Sequence, residues 1–209
     1  MTQHYPTEQE NFWAGEFGEA YIDRNQGASL LAGKLAFFAK ALSKAHPARS
    51  FLELGSNIGL NLQALGLLFP SARRTAVEIN PAAAATIRAE QPGIEVCEES
   101  LLAFRRDEQW DLGFTSGVLI HIDPASLPQA YEALYRHSRR YILIAEYYNA
   151  TPVEIEYRGH QGKLFKRDFA REMLDAYPDL RLLDYGFVWR HDPNFPLGDI
   201  TWFLLEKAA

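Results

Sequence analysis

The stretch Phe51-Leu52-Glu53-Leu54-Gly55-Ser56-Asn57-Ile58-Gly59 decides the fold of this chain. Its first four residues have the pattern of a short buried strand, and a helix over residues 60–69 is predicted after the two glycines. Glycines in such a turn let the backbone approach a ligand closely, and the following helix directs the positive end of its dipole at the same place. The stretch therefore predicts a strand, a turn able to bind a ligand and a helix in succession.

Strand-like and helix-like segments alternate beyond this turn. Further strands are predicted at residues 74–79, 94–97, 111–115 and 141–145. Asn80-Pro81 and Asp123-Pro124 are start signals for two of the helices between them, because proline is favoured at the first helical position. Parallel neighbours need a crossover connection, usually a helix, so we predict an α/β fold with a Rossmann-like, doubly wound, mostly parallel seven-stranded sheet.

The two ends of the chain depart from this alternation. Residues 7–24 are predicted to form an aromatic, amphipathic helix that lies on the domain, and a second helix is predicted from Ser29, as its N-cap, to about Ala45. Strands predicted at residues 180–189 and 200–205 have no helix-length segment between them. They therefore predict an antiparallel C-terminal hairpin on the sheet edge.

Composition limits the class of protein. The 209 residues are 47% hydrophobic and 23% charged, which is ordinary globular composition. A formal net charge of -6 argues against nucleic-acid binding, and no apolar run approaches the ~18 residues of a membrane span. The single cysteine, Cys97, and a start without a signal-peptide pattern predict a cytoplasmic protein. We expect a small-molecule partner, no metal, and either a monomer or a homodimer.

Ligands of such sheets bind beyond the carboxyl ends of the strands, so the residues after each strand are the candidate site. The turn at residues 53–59 lacks the glycines at positions 57 and 60 that a dinucleotide fingerprint would have. Its pattern, Glu-x-Gly-x-x-x-Gly, resembles the first motif of class I S-adenosylmethionine-dependent methyltransferases. The resemblance implies that S-adenosylmethionine is bound by Glu53, Gly55, Ser56, Asn57 and Gly59. The alternative is that the glycines only permit a tight turn.

The turns after the next three strands fit the same superfamily. Glu78, with Ile79 beside it, ends the second strand, where a carboxylate can accept hydrogen bonds from both ribose hydroxyls; alone, it can equally be a solvated acid. The resemblance implies that the adenine lies against Ser100 or Glu99 and against Leu101. It also implies that the methionine portion lies against Ser116, Gly117, Val118 and His121.

Three residues are candidates for aligning or deprotonating the acceptor. His121 is the titratable group nearest the expected point of methyl transfer, and a neutral histidine can act as a general base near pH 7. Its alternative role is to orient the loop from behind. Glu146 and Tyr147, which follow the fifth strand, complete the predicted catalytic set.

Several segments together resemble a narrower group, the pseudaminic acid biosynthesis-associated methylase family. The segments that carry the resemblance are residues 12–18, 51–59, 117–123, 141–148, 151–160 and 192–196. It extends over nearly the whole chain, and its most specific part is Pro152-Val153-Glu154-Ile155-Glu156-Tyr157-Arg158-Gly159-His160. It implies methyl transfer, with a nonulosonic sugar or its precursor as the acceptor.

The side chains after the fifth strand favour a polar acceptor. A basic cluster is formed by Arg158, His160, Lys163, Lys166 and Arg167. Such a cluster can clamp a carboxylate or a phosphate, although a solvated face of the following helix is the alternative. Acids and phenols add groups that can orient an amine or a hydroxyl. The predicted acceptor-binding residues are Tyr148, Glu154, Glu156, Tyr157, Arg158, His160 and Lys163.

The N-terminal segment is predicted to act as a lid. Trp13 and Tyr21 are expected to cover the cofactor, and Arg24 is expected to pair with its carboxylate; alternatively the aromatic residues only pack the helix onto the sheet. The expected organisation is one domain over residues 1–209. It comprises a helical lid (1–45), a cofactor-binding core (50–147), an acceptor-binding loop (148–170) and the strand hairpin (180–206).

Two other functions stay open on the sequence alone. A nicotinamide-dependent sugar oxidoreductase or epimerase has the same kind of fold, but the dinucleotide glycines and an evident Tyr-x-x-x-Lys pair are absent. A non-catalytic module that binds S-adenosylmethionine would be expected to have lost its acceptor loop, whereas residues 152–160 are dense in functional side chains.

Overall fold

A computed structural model describes residues 4–22 and 27–208, and a seven-stranded sheet forms its centre. The strands are β1 (Ser50–Leu54), β2 (Arg73–Glu78), β3 (Ile94–Glu98), β4 (Trp110–Ser116), β5 (Ser138–Glu146), β8 (Leu180–Val188) and β9 (Ile200–Lys207). Their order in the sheet is β3-β2-β1-β4-β5-β9-β8. The first five run parallel, while β9 is antiparallel to both β5 and β8. The predicted fold is confirmed.

Helices cover both faces of the sheet and the end at which its parallel strands finish. They are α1 (Glu8–Ala14), α2 (Glu16–Ile22), α3 (Ala28–Ala41), α4 (Leu60–Leu68), α5 (Pro81–Glu90), α6 (Leu127–His137) and α7 (Phe169–Ala176). One apolar cluster joins α3 and α4 to the sheet through Phe38 and Leu62. The other joins α6 and α7 to the opposite face through Leu134 and Met173. Residues 141–146 of β5 are all buried, as expected of a central strand covered on both faces.

Of the three predicted N-caps, Asn80 and Asp123 cap a helical turn in the structure and Ser29 does not. Asn80 caps α5 as predicted, since its side chain accepts hydrogen bonds from the N–H groups of Ala82 and Ala83. Asp123 caps a single 3-10 turn, Pro124–Ser126, which leads into α6. Ser29 is not an N-cap, because α3 already begins at Ala28 behind Gly27, and this helix ends at Ala41.

The predicted helix over residues 7–24 is two helices. Thr7 starts α1 with a capping box, in which its side chain accepts from the N–H of Glu10 while the Glu10 carboxylate accepts from the N–H of Thr7. Gly15 then ends α1 in an extended conformation, and α2 begins at the next residue. The break lets the segment bend over the carboxyl ends of the strands.

The segment between β5 and α7 has more structure than a plain loop. A short antiparallel ribbon pairs β6 (Val153–Glu154) with β7 (Phe165–Lys166). Tyr157 and His160 form an isolated bridge inside the ribbon's turn. The ribbon thereby holds residues 155–164 together beside the lid. Among the helices of the described residues, none combines the length and the apolar character needed to cross a membrane.

Candidate active site

A cavity of about 280 Å³ lies beyond the carboxyl ends of β1 to β4, under α1 and α2. Predicted residues that line it are Trp13, Tyr21, Gly55, Ser56, Asn57, Glu78, Ile79, Ser100, Leu101, Ser116, Gly117, Val118, His121, Tyr147 and Tyr157. A wider cleft of about 690 Å³ lies near Ser50, where β1 begins, and no predicted site residue lines it. The cavity is therefore the candidate active site.

The turn after β1 brings backbone into the cavity wall. Gly55, Asn57 and Gly59 all have positive φ angles, of 82°, 47° and 78°. A methyl group at Gly55 would lie 2.7 Å from Cγ2 of Val118, so only glycine lets the turns after β1 and β4 approach this closely. Gly59 does not line the cavity; it forms the left-handed N-cap of α4. The structure thus gives Gly59 a conformational role.

Glu78 connects two of the turns that form the cavity. Its Oε2 accepts a hydrogen bond from the N–H of Asn57 at 2.6 Å, and its Oε1 accepts one from the N–H of Asn80 at 2.8 Å. Burial raises the pKa of this carboxyl to about 7, although the backbone N–H donors favour its charged form. The N–H groups of Asn57 and Asn80 use two of the about four acceptor positions of a carboxylate, and those of Ile79 and Ser56 also favour its charged form.

Glu53 lies one layer behind the cavity rather than in its lining. It is fully buried, and its Oε1 accepts a hydrogen bond from Nδ2 of Asn61 at 2.5 Å. Asn61 in turn accepts one from Nζ of Lys34 at 2.6 Å, and both Asn61 and Lys34 line the cavity. Burial raises the pKa of Glu53 to about 8. Glu53 therefore does not line the cavity, whereas Asn61 and Lys34, which sequence reasoning missed, do.

The loop after β4 exposes backbone to the cavity. Gly117 has a φ of 70°, and apart from its chain neighbours no atom of the described residues lies within 4 Å of the place where its side chain would be. Behind the loop, the Glu146 carboxylate accepts hydrogen bonds from the N–H groups of Val118 and Leu119, each with a distance of 3.1 Å to Oε1. Glu146 does not line the cavity. Its carboxylate holds the loop in place, so the prediction that it handles the acceptor is not supported by its position.

His121 lies between the lid and the segment after β5. Its Nδ1 is 2.6 Å from the carbonyl oxygen of Lys163. Because a carbonyl only accepts, the proton is assigned to Nδ1, which leaves Nε2 as the unprotonated nitrogen. Burial lowers the pKa of His121 to about 4. The ring centroid is 4.6 Å from that of Trp13 and 4.9 Å from that of Tyr157, so a neutral imidazole is held within an aromatic wall.

The segment of α1 contacts both the turn after β2 and the segment after β5. Nδ2 of Asn80 donates to the carbonyl oxygen of Trp13 at 3.0 Å. Gln9 donates from its side chain to the carbonyl oxygen of Gly162 at 3.0 Å. Nε1 of Trp13 is buried and has no hydrogen-bond partner within the described residues. Arg24, which was predicted to pair with a carboxylate, lies outside the described residues.

At the β3 end of the cavity, the hydroxyl of Ser100 meets the lid. Its Oγ donates to Oε1 of Glu10 at 2.5 Å, and it accepts from the N–H of Leu102 at 3.1 Å. Glu99 also lines the cavity, but its carboxylate forms an ion pair with Arg106 at 2.5 Å. Glu10 was not predicted as a site residue.

Most of the predicted acceptor-binding residues stand around the cavity rather than in it. Tyr148, Glu156 and His160 are exposed. Glu154 accepts from the N–H of Gly162 at 2.6 Å, and Lys163 forms a 2.5 Å ion pair with Glu8 of the lid. Their positions make them parts of the ribbon and of its contact with α1. Only Tyr157 of the predicted set lines the cavity itself.

Two cations lie beside the phenols that line the cavity. The guanidinium carbon of Arg158 is 5.7 Å from the ring centroid of Tyr157. Nζ of Lys166 is 5.4 Å from the ring centroid of Tyr147. Arg167, by contrast, is paired with Glu172 at 2.7 Å. Of the predicted basic cluster, Arg158 and Lys166 are therefore the members that contact rings of the cavity lining. No group of three His, Cys, Asp or Glu side chains within residues 4–22 and 27–208 could hold a metal ion.

Solved structures of methyltransferases superpose on the entire chain. The 1,6-didemethyltoxoflavin-N1-methyltransferase of Burkholderia thailandensis, solved with S-adenosylhomocysteine, has a TM-score of 0.72 at 16% identity, covering 100% of this chain and 93% of its own. The chain has the fold of class I methyltransferases. The sugar N-methyltransferase KedS8 from Streptoalloteichus sp. has a TM-score of 0.66 at 15% identity, with coverage of 100% and 98%.

A third similar structure is the glycopeptide N-methyltransferase MtfA in complex with S-adenosylmethionine. Its TM-score is 0.60 at 15% identity, and the match covers 87% of this chain and 94% of that one. No protein-family model and no curated protein sequence matches the chain. Identities this low establish the fold alone.

Proposed function

We propose that this protein is an S-adenosylmethionine-dependent methyltransferase that acts on a small polar acceptor. The observation that carries the proposal is the position of Glu78, a buried carboxylate in the middle of a cavity that extends from the turn after β3 to the turn after β4. An acid at the end of the second strand accepts the two hydroxyls of a ribose. The turn after β1 lacks two of the glycines of the dinucleotide-binding fingerprint, which argues against a nicotinamide cofactor.

Three other features of the cavity fit this cofactor. The buried Nε1–H of Trp13 has no partner among the described residues, so it is available to a ligand. The empty space above Gly117 admits a ligand directly against the backbone. Lys34 lines the cavity near the turn after β1; burial lowers the pKa of its amino group, and the carboxylate of a ligand would favour the charged form. These residues suit an extended molecule with a purine, a ribose and an amino-acid end.

When bound, S-adenosylmethionine supplies an electrophilic methyl group on its sulfonium. The protein then has to hold a nucleophile in line with that methyl group, and such orientation is worth roughly 7–11 kcal/mol in well-aligned systems. His121 and Tyr147 line the cavity and are the groups that can accept or orient the acceptor's proton. Nε2 of His121 carries the free lone pair, which makes it the base or orienting group that we assign.

We further propose a nonulosonic sugar or its precursor as the acceptor. The resemblance of residues 151–160 to the pseudaminic acid biosynthesis-associated methylase family supports this choice. Arg158 and Lys166 also support it, because they place two cations beside the phenols of the cavity, where a sugar carboxylate or phosphate would find a charged partner. One of the structurally similar proteins is itself a sugar N-methyltransferase.

An acceptor comparison tests this assignment. We expect methyl transfer to a nonulosonic acid, detected as S-adenosylhomocysteine released and as a mass gain of one methylene in the acceptor. The Arg158→Gln/Lys166→Gln double variant should raise KM for the acid about thirtyfold or more, since two lost charge-assisted contacts of at least about 1 kcal/mol each total at least about 2 kcal/mol. KM for the methyl ester of the same sugar should stay unchanged.

The control is Arg171→Gln, which removes a cation from an exposed ion pair with Asp175 on α7. It should leave both KM values as they are. An equal rise in KM for the acid and for its ester would contradict a carboxylate contact from Arg158 and Lys166. Absence of methyl transfer to any nonulosonic acid or nucleotide-activated form would contradict the acceptor assignment.

A further inference from the structure

Glu10 is a buried acid that the lid inserts at one end of the cavity. It belongs to α1, its side chain is only 6% exposed, and it lines the cavity. Its Oε1 accepts from Oγ of Ser100 at 2.5 Å, while its Oε2 accepts from Oγ1 and the N–H of Thr7 at 2.8 and 3.0 Å. The capping box requires only the contacts between Glu10 and Thr7, so it does not explain why the carboxylate also contacts Ser100.

The position of Ser100 fixes which end of the cavity Glu10 occupies. Ser100 follows β3, which lies on the far side of β2 from β1 and β4. A cofactor whose ribose is held by Glu78 at the end of β2, and whose amino-acid end lies near Gly117, has its purine on the β3 side. Glu10 is therefore beside the purine, provided that the proposed function is correct.

Ser100 and Glu99, which also line this end of the cavity, each have a partner within the protein. The hydroxyl proton of Ser100 is donated to Glu10, and its oxygen accepts from Leu102. The carboxylate of Glu99 is paired with Arg106. Three hydrogen bonds use three of the about four acceptor positions of Glu10, which leaves one for a ligand donor.

We infer that Glu10 accepts a hydrogen bond from the exocyclic amino group of adenine, and thereby selects adenine over purines that carry a carbonyl at that position. A carbonyl oxygen there would face the carboxylate with two acceptors and no proton between them. A site built to accept from a donor rejects an analogue without it, because the buried acceptor is left unpaired. The acid that recognises adenine, Glu10, thus comes from α1 rather than from the turn after β3.

This role also connects the two halves of the cavity through one helix. The same α1 contacts the ribbon through Gln9, which donates to Gly162, and through Glu8, which pairs with Lys163. Fixing Glu10 on the base therefore fixes the helix that forms one wall beside Tyr157. Although α1 has only seven residues, it thus makes polar contacts with Ser100 at one end of the site and with Gly162 and Lys163 at the other.

The test compares two ligands that differ at one group. S-adenosylhomocysteine carries the exocyclic amine, and S-inosylhomocysteine carries a carbonyl oxygen in its place. We expect wild-type protein to bind the adenosyl compound at least about 20-fold more tightly by calorimetric titration. In Glu10→Gln the amide can donate to the carbonyl oxygen, so the preference should shrink at least fivefold. Glu16→Gln, the same change at an exposed lid position, should keep the wild-type preference.

The possible results distinguish failure of the proposed function from failure of the role assigned to Glu10. If wild-type protein binds neither compound, the proposed function fails and the inference fails with it. If wild-type protein binds S-adenosylhomocysteine and Glu10→Gln retains the full preference, only the inference is overturned. Circular dichroism checks that the variants are folded, and Glu10→Ala, which keeps a good helix former while removing the acceptor, is the second variant and should also lose preference.

Discussion

Replacing Glu78 with alanine should weaken the binding of S-adenosylmethionine about a hundredfold, or about 2.8 kcal/mol. The carboxylate is the group assigned to the ribose hydroxyls, and hydrogen bonds to a charged acceptor are worth about 1.5–3 kcal/mol each. The change also removes the acceptor for the N–H groups of Asn57 and Asn80, which border the cavity. Calorimetric titration of wild-type and variant protein measures the difference in affinity directly.

Glu98→Ala is the matched control for this substitution. Glu98 ends β3 as Glu78 ends β2, and the two residues are register partners in the sheet. Glu98 is exposed and paired with Arg88 at 2.6 Å, outside the cavity. The control variant should bind S-adenosylmethionine like the wild type. Equal affinity of Glu78→Ala and wild-type protein would mean that Glu78 does not hold the ribose.

Replacing His121 with asparagine should lower kcat about a hundredfold or more while the affinity for S-adenosylmethionine changes less than about threefold. Removal of a general base typically costs 10²–10⁴ in rate. The asparagine amide can still donate to the carbonyl oxygen of Lys163 as Nδ1 does, so the loop contact is retained. Steady-state kinetics with saturating cofactor separates kcat from KM.

His121→Gln is the complementary variant, because its amide oxygen reaches toward the position of Nε2 while the bond to Lys163 is lost. If Nε2 is the base, the glutamine variant should also lose activity, because an amide oxygen does not take up a proton near pH 7. If His121 only orients the loop through Lys163, the asparagine variant should keep its activity and the glutamine variant should lose it. Since burial holds the pKa of His121 near 4, the wild-type rate should not fall through protonation of this residue between pH 8 and 6. Unchanged kcat in both variants would refute a role for His121 in the reaction.

The fold was predictable because its signals are local and mutually consistent. The glycine turn at Gly55 and Gly59, the cap at Asn80 and the apolar run at residues 141–145 each specify one element. Once five strands alternate with helices, the right sheet class follows from connectivity. The break at Gly15 was missed because amphipathic periodicity continues through residues 7–22, and one glycine is an uncertain helix stop.

The site was predictable where position along a strand decides it. The turns after β1 to β4 meet at one edge of the sheet, so chain order, together with the resemblance to methyltransferases, pointed to Glu78, Ser100 and Gly117, all of which line the cavity. Glu146 ends β5, and the sequence does not show that its carboxylate meets the amides of Val118 and Leu119 rather than the cavity.

Residues contributed by helices outside the strand pattern were harder to find. Glu10 reaches Ser100 across 90 positions of sequence, a contact that only tertiary packing creates. The position of Lys34 in the sequence could have been recognised as unusual. It lies on the apolar face of its helix, three residues after Leu31 and four before Phe38, where a lysine needs a polar partner. The structure supplies that partner in Asn61.

The cofactor assignment is tested by calorimetric titration of the wild-type protein with S-adenosylmethionine, followed by a parallel titration with reduced nicotinamide dinucleotide. We predict micromolar binding of S-adenosylmethionine with one site per chain, and no binding of the nicotinamide cofactor. Binding of the nicotinamide cofactor with no binding of S-adenosylmethionine, in the presence and absence of a nonulosonic acid, would contradict the assignment.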